Sequence, residues 1–217
     1  MDWDFILEIL PRIADGLVVT VELTLIGTAI AMVLGLIVAL LRRSRFRVVR
    51  WPVSFAREFI TNTPLLVQAF FFFYVFPEFI GLRLSPFLSG VIVIGIHYAT
   101  YTSEVYRAGI EAVPAGQWQA ARALNFTASD TWRRIILPQA IPPIFPALGN
   151  YLISMFKDTP QLLAIGVLEM VGVANAIATE TYRSTWPYLI AGIFFVILSY
   201  IASLAVRRLE ARFGRLA

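Results

Sequence analysis

The chain has 217 residues, 59% of them hydrophobic and only 15% charged, with a formal net charge of +4 and a mean hydropathy of +0.75. Soluble domains sit near half apolar and a quarter charged, so this composition points to a lipid environment. Cysteine is absent and His97 is the single histidine, which excludes disulfides, thiolate metal sites, cysteine nucleophiles and a histidine cluster for zinc or iron.

A helix needs about 20 apolar residues to cross a ~30 Å hydrocarbon core, and the chain offers five such stretches. The first, 17–41, carries one charge, Glu22, near its start. Its length, the acidic residues ahead of it and the basic cluster behind it distinguish it from a signal peptide. The second and third, 63–80 and 86–108, are separated by the short loop GLRLS. The fourth is interrupted. From Leu137 to Val173 the chain is largely apolar, but Lys157 and Asp158 sit adjacent near the middle, and each central charge costs ~2.5–3.5 kcal/mol against ~0.5 returned by a Leu or Ile. We therefore place a span at about 142–157, a break at KDTP, and a re-entrant or surface segment at 161–173. The fifth covers 186–206.

Arginine sets the orientation. RRSRFRVVR (42–50) and RRLEARFGR (207–215) each follow an apolar run directly, and 110–137 holds Arg122, Arg133 and Arg134. An odd number of spans puts all three on one side, so the basic regions predict the N-terminus outside and the C-terminus in the cytoplasm. This placement suits membrane anchoring rather than a nucleic-acid groove. Hydropathy shows no internal repeat, so the inverted repeats of secondary carriers have no support. The expected fold is an all-α membrane protein of five transmembrane helices in one domain, 1–217, with a helix-turn-helix between spans three and four at about 110–138.

That insert, GQWQAARALNFTASDTWRRIILPQ (116–139), is polar and ordered. QWQAARAL is made largely of good helix formers, and Asn125 stands where a left-handed residue would end them. TASD (127–130) fits a capping box. Trp132, Ile135 and Ile136 share one face of the next helix, while Asp130 is spaced to pair with Arg133 or Arg134. Pro138 is expected to stop that helix.

On these residues the insert resembles the cytoplasmic EAA loop of binding-protein-dependent ABC importer permeases: E-A-A, three residues, Gly, nine residues, Ile, one residue, Leu-Pro. Ala120, Ala121, Ile135, Leu137 and Pro138 match, while Gln119 replaces the Glu and Asn125 the Gly. The likeness extends through TPLLVQAFFFFY (63–74), SEVYRAGIEAVPAGQWQAARAL (103–124) and LPQAIPPIFPALGNYLISMFKDT (137–159), and looks like the polar amino-acid uptake subfamily, with wording similar to ectoine or hydroxyectoine permeases. The resemblance implies a multi-pass subunit of the bacterial inner membrane without a cofactor of its own. Its implied partners are a second permease copy or homologue, an ATPase dimer that binds the ATP, and an extracytoplasmic solute-binding protein. Gln119, Ala120, Ala121, Arg122, Asn125, Asp130 and Pro138 would then form the docking loop.

Candidate pathway residues are the polar groups within the spans: Gln68, His97, Glu104, Asn150, Lys157 and Asp158. Intramembrane charges face cavities and are functional by default, but each has a structural alternative. Glu104 can pair with Arg107 one turn on, His97 can be a packed polar group, and Lys157 and Asp158 can neutralise each other at the helix break. The small-residue stripes Gly27/Ala31/Gly35 and Gly95/Ala99/Ser103 read as close helix contacts. No catalytic constellation is present, which speaks against an enzyme. An ATP-independent carrier or channel is the alternative reading, and it leaves the insert unexplained.

Overall fold

The computed structural model describes residues 2–213, and every regular element among them is helical. The helices are α1 (Trp3–Arg42), α2 (Arg47–Thr61), α3 (Leu65–Ile80), α4 (Pro86–Glu111), α5 (Ala115–Ala123), α6 (Ala128–Ile165), α7 (Met170–Thr181) and α8 (Thr185–Phe213). Two of them, α1 and the Thr185–Arg208 part of α8, are individually long and apolar enough to cross a membrane. The count rises to four if α2 with α3, bent by 107°, and α6 with α7, bent by 44°, are each one span.

The centre of the fold is α4 against α1. The two small-residue stripes face each other: a methyl on Gly95 would lie 2.7 Å from Ile30 Cγ2, and one on Gly27 2.9 Å from Ile94 Cγ2. At that approach the Thr102 hydroxyl reaches across to the Ala31 carbonyl at 2.8 Å, the kind of interhelical bond that small residues permit. Leu23, Ala31, Leu65, Ile94, Met155 and Leu162 complete the largest core cluster. Burial also explains how α4 carries so many polar side chains: Ser89, His97, Thr100, Thr102 and Ser103 are enclosed by protein rather than exposed to lipid.

Three boundaries differ from the sequence expectation. α1 begins at Trp3, well ahead of residue 17, because Phe5, Ile9 and Ile13 repeat at i, i+4 and i+8 and pack on Met170, Ala174 and Ile177 of α7. The segment after the KDTP break turns from α to 3₁₀ geometry at Thr159–Ile165. It continues past a left-handed Gly166 (φ 84°) into α7, which ends only at Thr181. Pro138 does not stop its helix. A widened π turn over Thr131–Ile136 precedes it, so a residue without an N–H falls where the ladder is already loosened. The helix then continues through Pro142, Pro143 and Pro146 to Asp158.

The stretch before span two is helical as well. Residues 47–61 form a separate helix, α2, not merely a tail to the arginine cluster.

Candidate functional site

Two constructions hold the chemistry, and α6 joins them. The first is the corner between α5 and α6. Asn125 is left-handed (φ 55°), and its N–H donates to the Arg122 carbonyl at 3.1 Å while the Phe126 N–H donates to the Ala121 carbonyl at 3.0 Å. This is the paired bonding of a Schellman turn, which satisfies two carbonyls at the end of α5. Asn is the non-glycine residue that takes this conformation most readily.

Thr127 then caps α6. Its hydroxyl oxygen accepts from the Asp130 N–H at 3.1 Å, and the hydroxyl donates to the Asp130 carboxylate at 2.7 Å. The carboxylate thus meets the Thr127 side chain, and Arg134 lies 3.1 Å away as its ion-pair partner. Beneath the corner Trp118 and Trp132 meet edge to face at 5.4 Å, over a small core of Ile110, Val113, Ile136 and Ala140. Gln119, Ala120, Arg122, Asn125 and Pro138 are exposed. Ala121 is fully buried, so it sets how closely the helices approach and leaves the contact face to its neighbours.

The second construction is a polar pocket of about 360 Å³ lined by Thr61, Asn62, Thr63, His97, Tyr101, Asp158 and Gln161, with Pro64 and Leu65. Asp158 ends the α-helical part of α6, where the turn to 3₁₀ geometry brings its carboxylate inward. Tyr98 donates its hydroxyl to one oxygen at 2.6 Å and Gln161 its amide to the other at 3.2 Å. Opposite, the Gln68 amide nitrogen donates to the carbonyls of Ile60 (2.7 Å) and Thr63 (2.8 Å), holding the bend between α2 and α3. That orientation leaves the Gln68 oxygen facing His97 Nδ1 at 3.2 Å, where an amide oxygen can only accept. Rings of His97, Tyr98, Tyr101 and Tyr151 cluster at centroid distances of 5.3–6.2 Å.

The sequence candidates divide accordingly. Gln68, His97 and Asp158 come together. Lys157 points away from Asp158, into a separate cleft with Phe195, Ser199, Tyr200 and Ser203, and has no ion-pair partner among the described residues. The two side chains thus form no ion pair with each other. Asn150 is exposed on α6, away from the pocket. Glu104 is bound to Arg42, to Arg57 at 3.4 Å and to Arg107 at 2.6 Å, fastening the ends of α1, α2 and α4 together. Tyr98, Tyr101, Gln161 and the 61–63 turn were not anticipated. A helical face through His97 and Tyr101, one turn apart, was the available signal.

Residues 31–215 match the family described as the inner membrane component of binding-protein-dependent transport systems. The chain belongs to this family. The permease is 43% identical over 203 residues to a probable amino-acid ABC transporter permease of Sinorhizobium fredii, y4tG, covering 94% of the chain and 87% of the relative. It is 37% identical to the L-cystine permease TcyB of Bacillus subtilis, over 98% and 92% of the two chains. Among solved structures, one described as an amino acid ABC transporter with histidines superposes at a TM-score of 0.90 with 33% identity, covering 98% of the permease and 99% of that chain. A chain of the MetNI methionine transporter in an inward-facing conformation shares the fold, at 0.78 and 18% identity over 95% and 98%. The permease is thus an inner-membrane transport protein.

Proposed function

We propose that this permease is the membrane subunit of an ATP-driven importer for a polar amino acid or a related zwitterion, the ectoine type included, and that it forms the solute pathway while ATPase partners hydrolyse ATP. The observation that carries this reading is the continuity of α6: one end forms the exposed, capped corner, and the other presents Asp158 to the polar pocket. A push on the corner by an ATPase dimer is therefore passed along one continuous helix to a pocket wall, the kind of two-state part that coupling requires.

The corner offers Gln119, Ala120, Arg122, Asn125 and Leu124, the last 70% exposed, as the docking face, with Asp130 and Ala121 holding its shape. Asp158, its two oxygens already oriented by Tyr98 and Gln161, together with the faces of Tyr101 and His97, suits an ammonium group, which gains from both a carboxylate and ring quadrupoles. Lys157, in its own cleft, would reach solute carboxylate only as the pathway changes shape. Glu104 acts in fastening the helices.

Five spans, N-terminus outside and C-terminus inside, complete the proposal, with α4 as the enclosed central span between α1 and α6. A second permease chain, identical or paralogous, and an extracytoplasmic binding protein complete the transporter. The test is reconstitution of the permease with its ATPase and binding protein in proteoliposomes, supplying labelled amino acids and ectoine separately. ATP-dependent uptake stimulated by binding protein is expected. Uptake that persists without the ATPase would return the chain to the carrier or channel alternative.

A further inference from the structure

α2 has no buried residue, which is unusual for a helix of fifteen residues next to a packed core. Its polar edge, Arg57 foremost, turns toward the clamp around Glu104. Its apolar stripe turns outward: Val48 (86% exposed), Trp51 (71%), Phe55 (74%) and Phe59 (65%) follow one another at helical spacing and are left largely uncovered. The 107° bend to α3 sets α2 across, rather than along, the direction of the helix that follows. Arg45, Arg47 and Arg50 at its start are exposed and have no ion-pair partner among the described residues. From Arg42 through Arg57 there is no acidic residue at all.

We infer that α2 is an in-plane interfacial helix that binds anionic phospholipid, its aromatic stripe sunk at the acyl boundary and its arginine rim on the headgroups. An amphipathic helix with aromatics on one face and arginines on the other lies in this way, and Trp prefers the headgroup level. Charge decides between occupants. A neutral lipid or an apolar protein surface would satisfy the stripe but leave three arginines without an acidic partner beside it, Arg45 resting only on the Phe46 ring, whereas an anionic headgroup satisfies both.

The experiment uses the full chain, whose lack of cysteine allows a single probe. In neutral detergent, binding of fluorescent phosphatidylglycerol and phosphatidylcholine is compared, and Phe55→Cys carrying an environment-sensitive dye is followed in bilayers of each lipid. Phosphatidylglycerol should bind at least tenfold more tightly, and should weaken steeply with salt. Each arginine at an anionic surface contributes about fivefold, so R45Q/R47Q/R50Q should weaken binding on the order of 100-fold, while R45K/R47K/R50K keeps it. The glutamine variant can misinsert, and the salt titration of the unaltered chain stands independently of it. Equal affinity for the two lipids, or affinity unmoved by salt, overturns the inference. So does efficient cross-linking of Phe55→Cys to a second copy, which would make the stripe a subunit contact.

Discussion

Valine in place of Asn125 tests the corner at its most demanding position. The backbone there is left-handed, with φ at 55°, and this single residue aligns the two N–H donors that close the Schellman turn at 3.1 and 3.0 Å. A β-branched side chain in that region costs about 1–3 kcal/mol. Since 1.4 kcal/mol is a factor of ten, the native corner loses roughly five- to 150-fold in population relative to opened forms. Opening separates Trp118 from Trp132 and exposes the core under them, so the face formed by Gln119, Ala120 and Arg122 no longer has one shape. Glycine reaches the same φ without steric cost, so Asn125→Gly should match or exceed the parent. The assay is co-purification of the ATPase subunits together with solute-stimulated hydrolysis in reconstituted membranes. Valine should reduce both and glycine neither. If valine performs as well as glycine, the left-handed turn does not shape the docking element.

Asp158→Asn should lower uptake at least tenfold while ATPase docking stays intact, measured as uptake against co-purification; unchanged uptake would remove Asp158 from the pathway. Gly35→Ala places a methyl 2.0 Å from Thr102 Oγ1 and 3.0 Å from the Ala99 carbonyl. Overpacking of this kind costs about 1–3 kcal/mol, so the thermal unfolding midpoint in detergent should fall clearly, whereas Gly116→Ala, with open space around it, should leave it unchanged. Glu104→Gln strands Arg42 and Arg57, both largely buried, and should cost about 1–3 kcal/mol after allowance for partial exposure, read as the same midpoint. Single cysteines at Asp4 and Ala211 should react with impermeant reagents from opposite sides of the membrane, and reaction from one side would refute an odd number of spans.

Periodicity and turn chemistry made the corner legible before the structure: the left-handed Asn125, the Thr127 cap and the Trp132/Ile135/Ile136 face all follow from local rules, and all are present. Features set by tertiary packing were not. Pro138 reads locally as a stop, but a π turn upstream absorbs the missing donor. The early start of α1 depends on α7, a helix whose existence the apolar count alone did not extend to Thr181. Lys157 and Asp158 are neighbours in sequence, yet successive helical residues lie about 100° apart, and only the fold decides which of them turns to the pocket. The aromatic wall around Asp158 is drawn from α4 and α6, and no spacing along one helix displays it.

The continuous helical run from the corner to Asp158 has a mechanical corollary. At ~1.5 Å per residue it is roughly 46 Å long, so a tilt of ~10° about its middle carries each end through about 4 Å, more than a hydrogen bond's length. Pro142, Pro143 and Pro146 withhold their ladder donors between the two ends, and a rod missing consecutive rungs yields there first. The stroke entering at the corner and the stroke arriving at Asp158 are therefore separable quantities, and the compliance of one proline-rich turn sets the ratio between them.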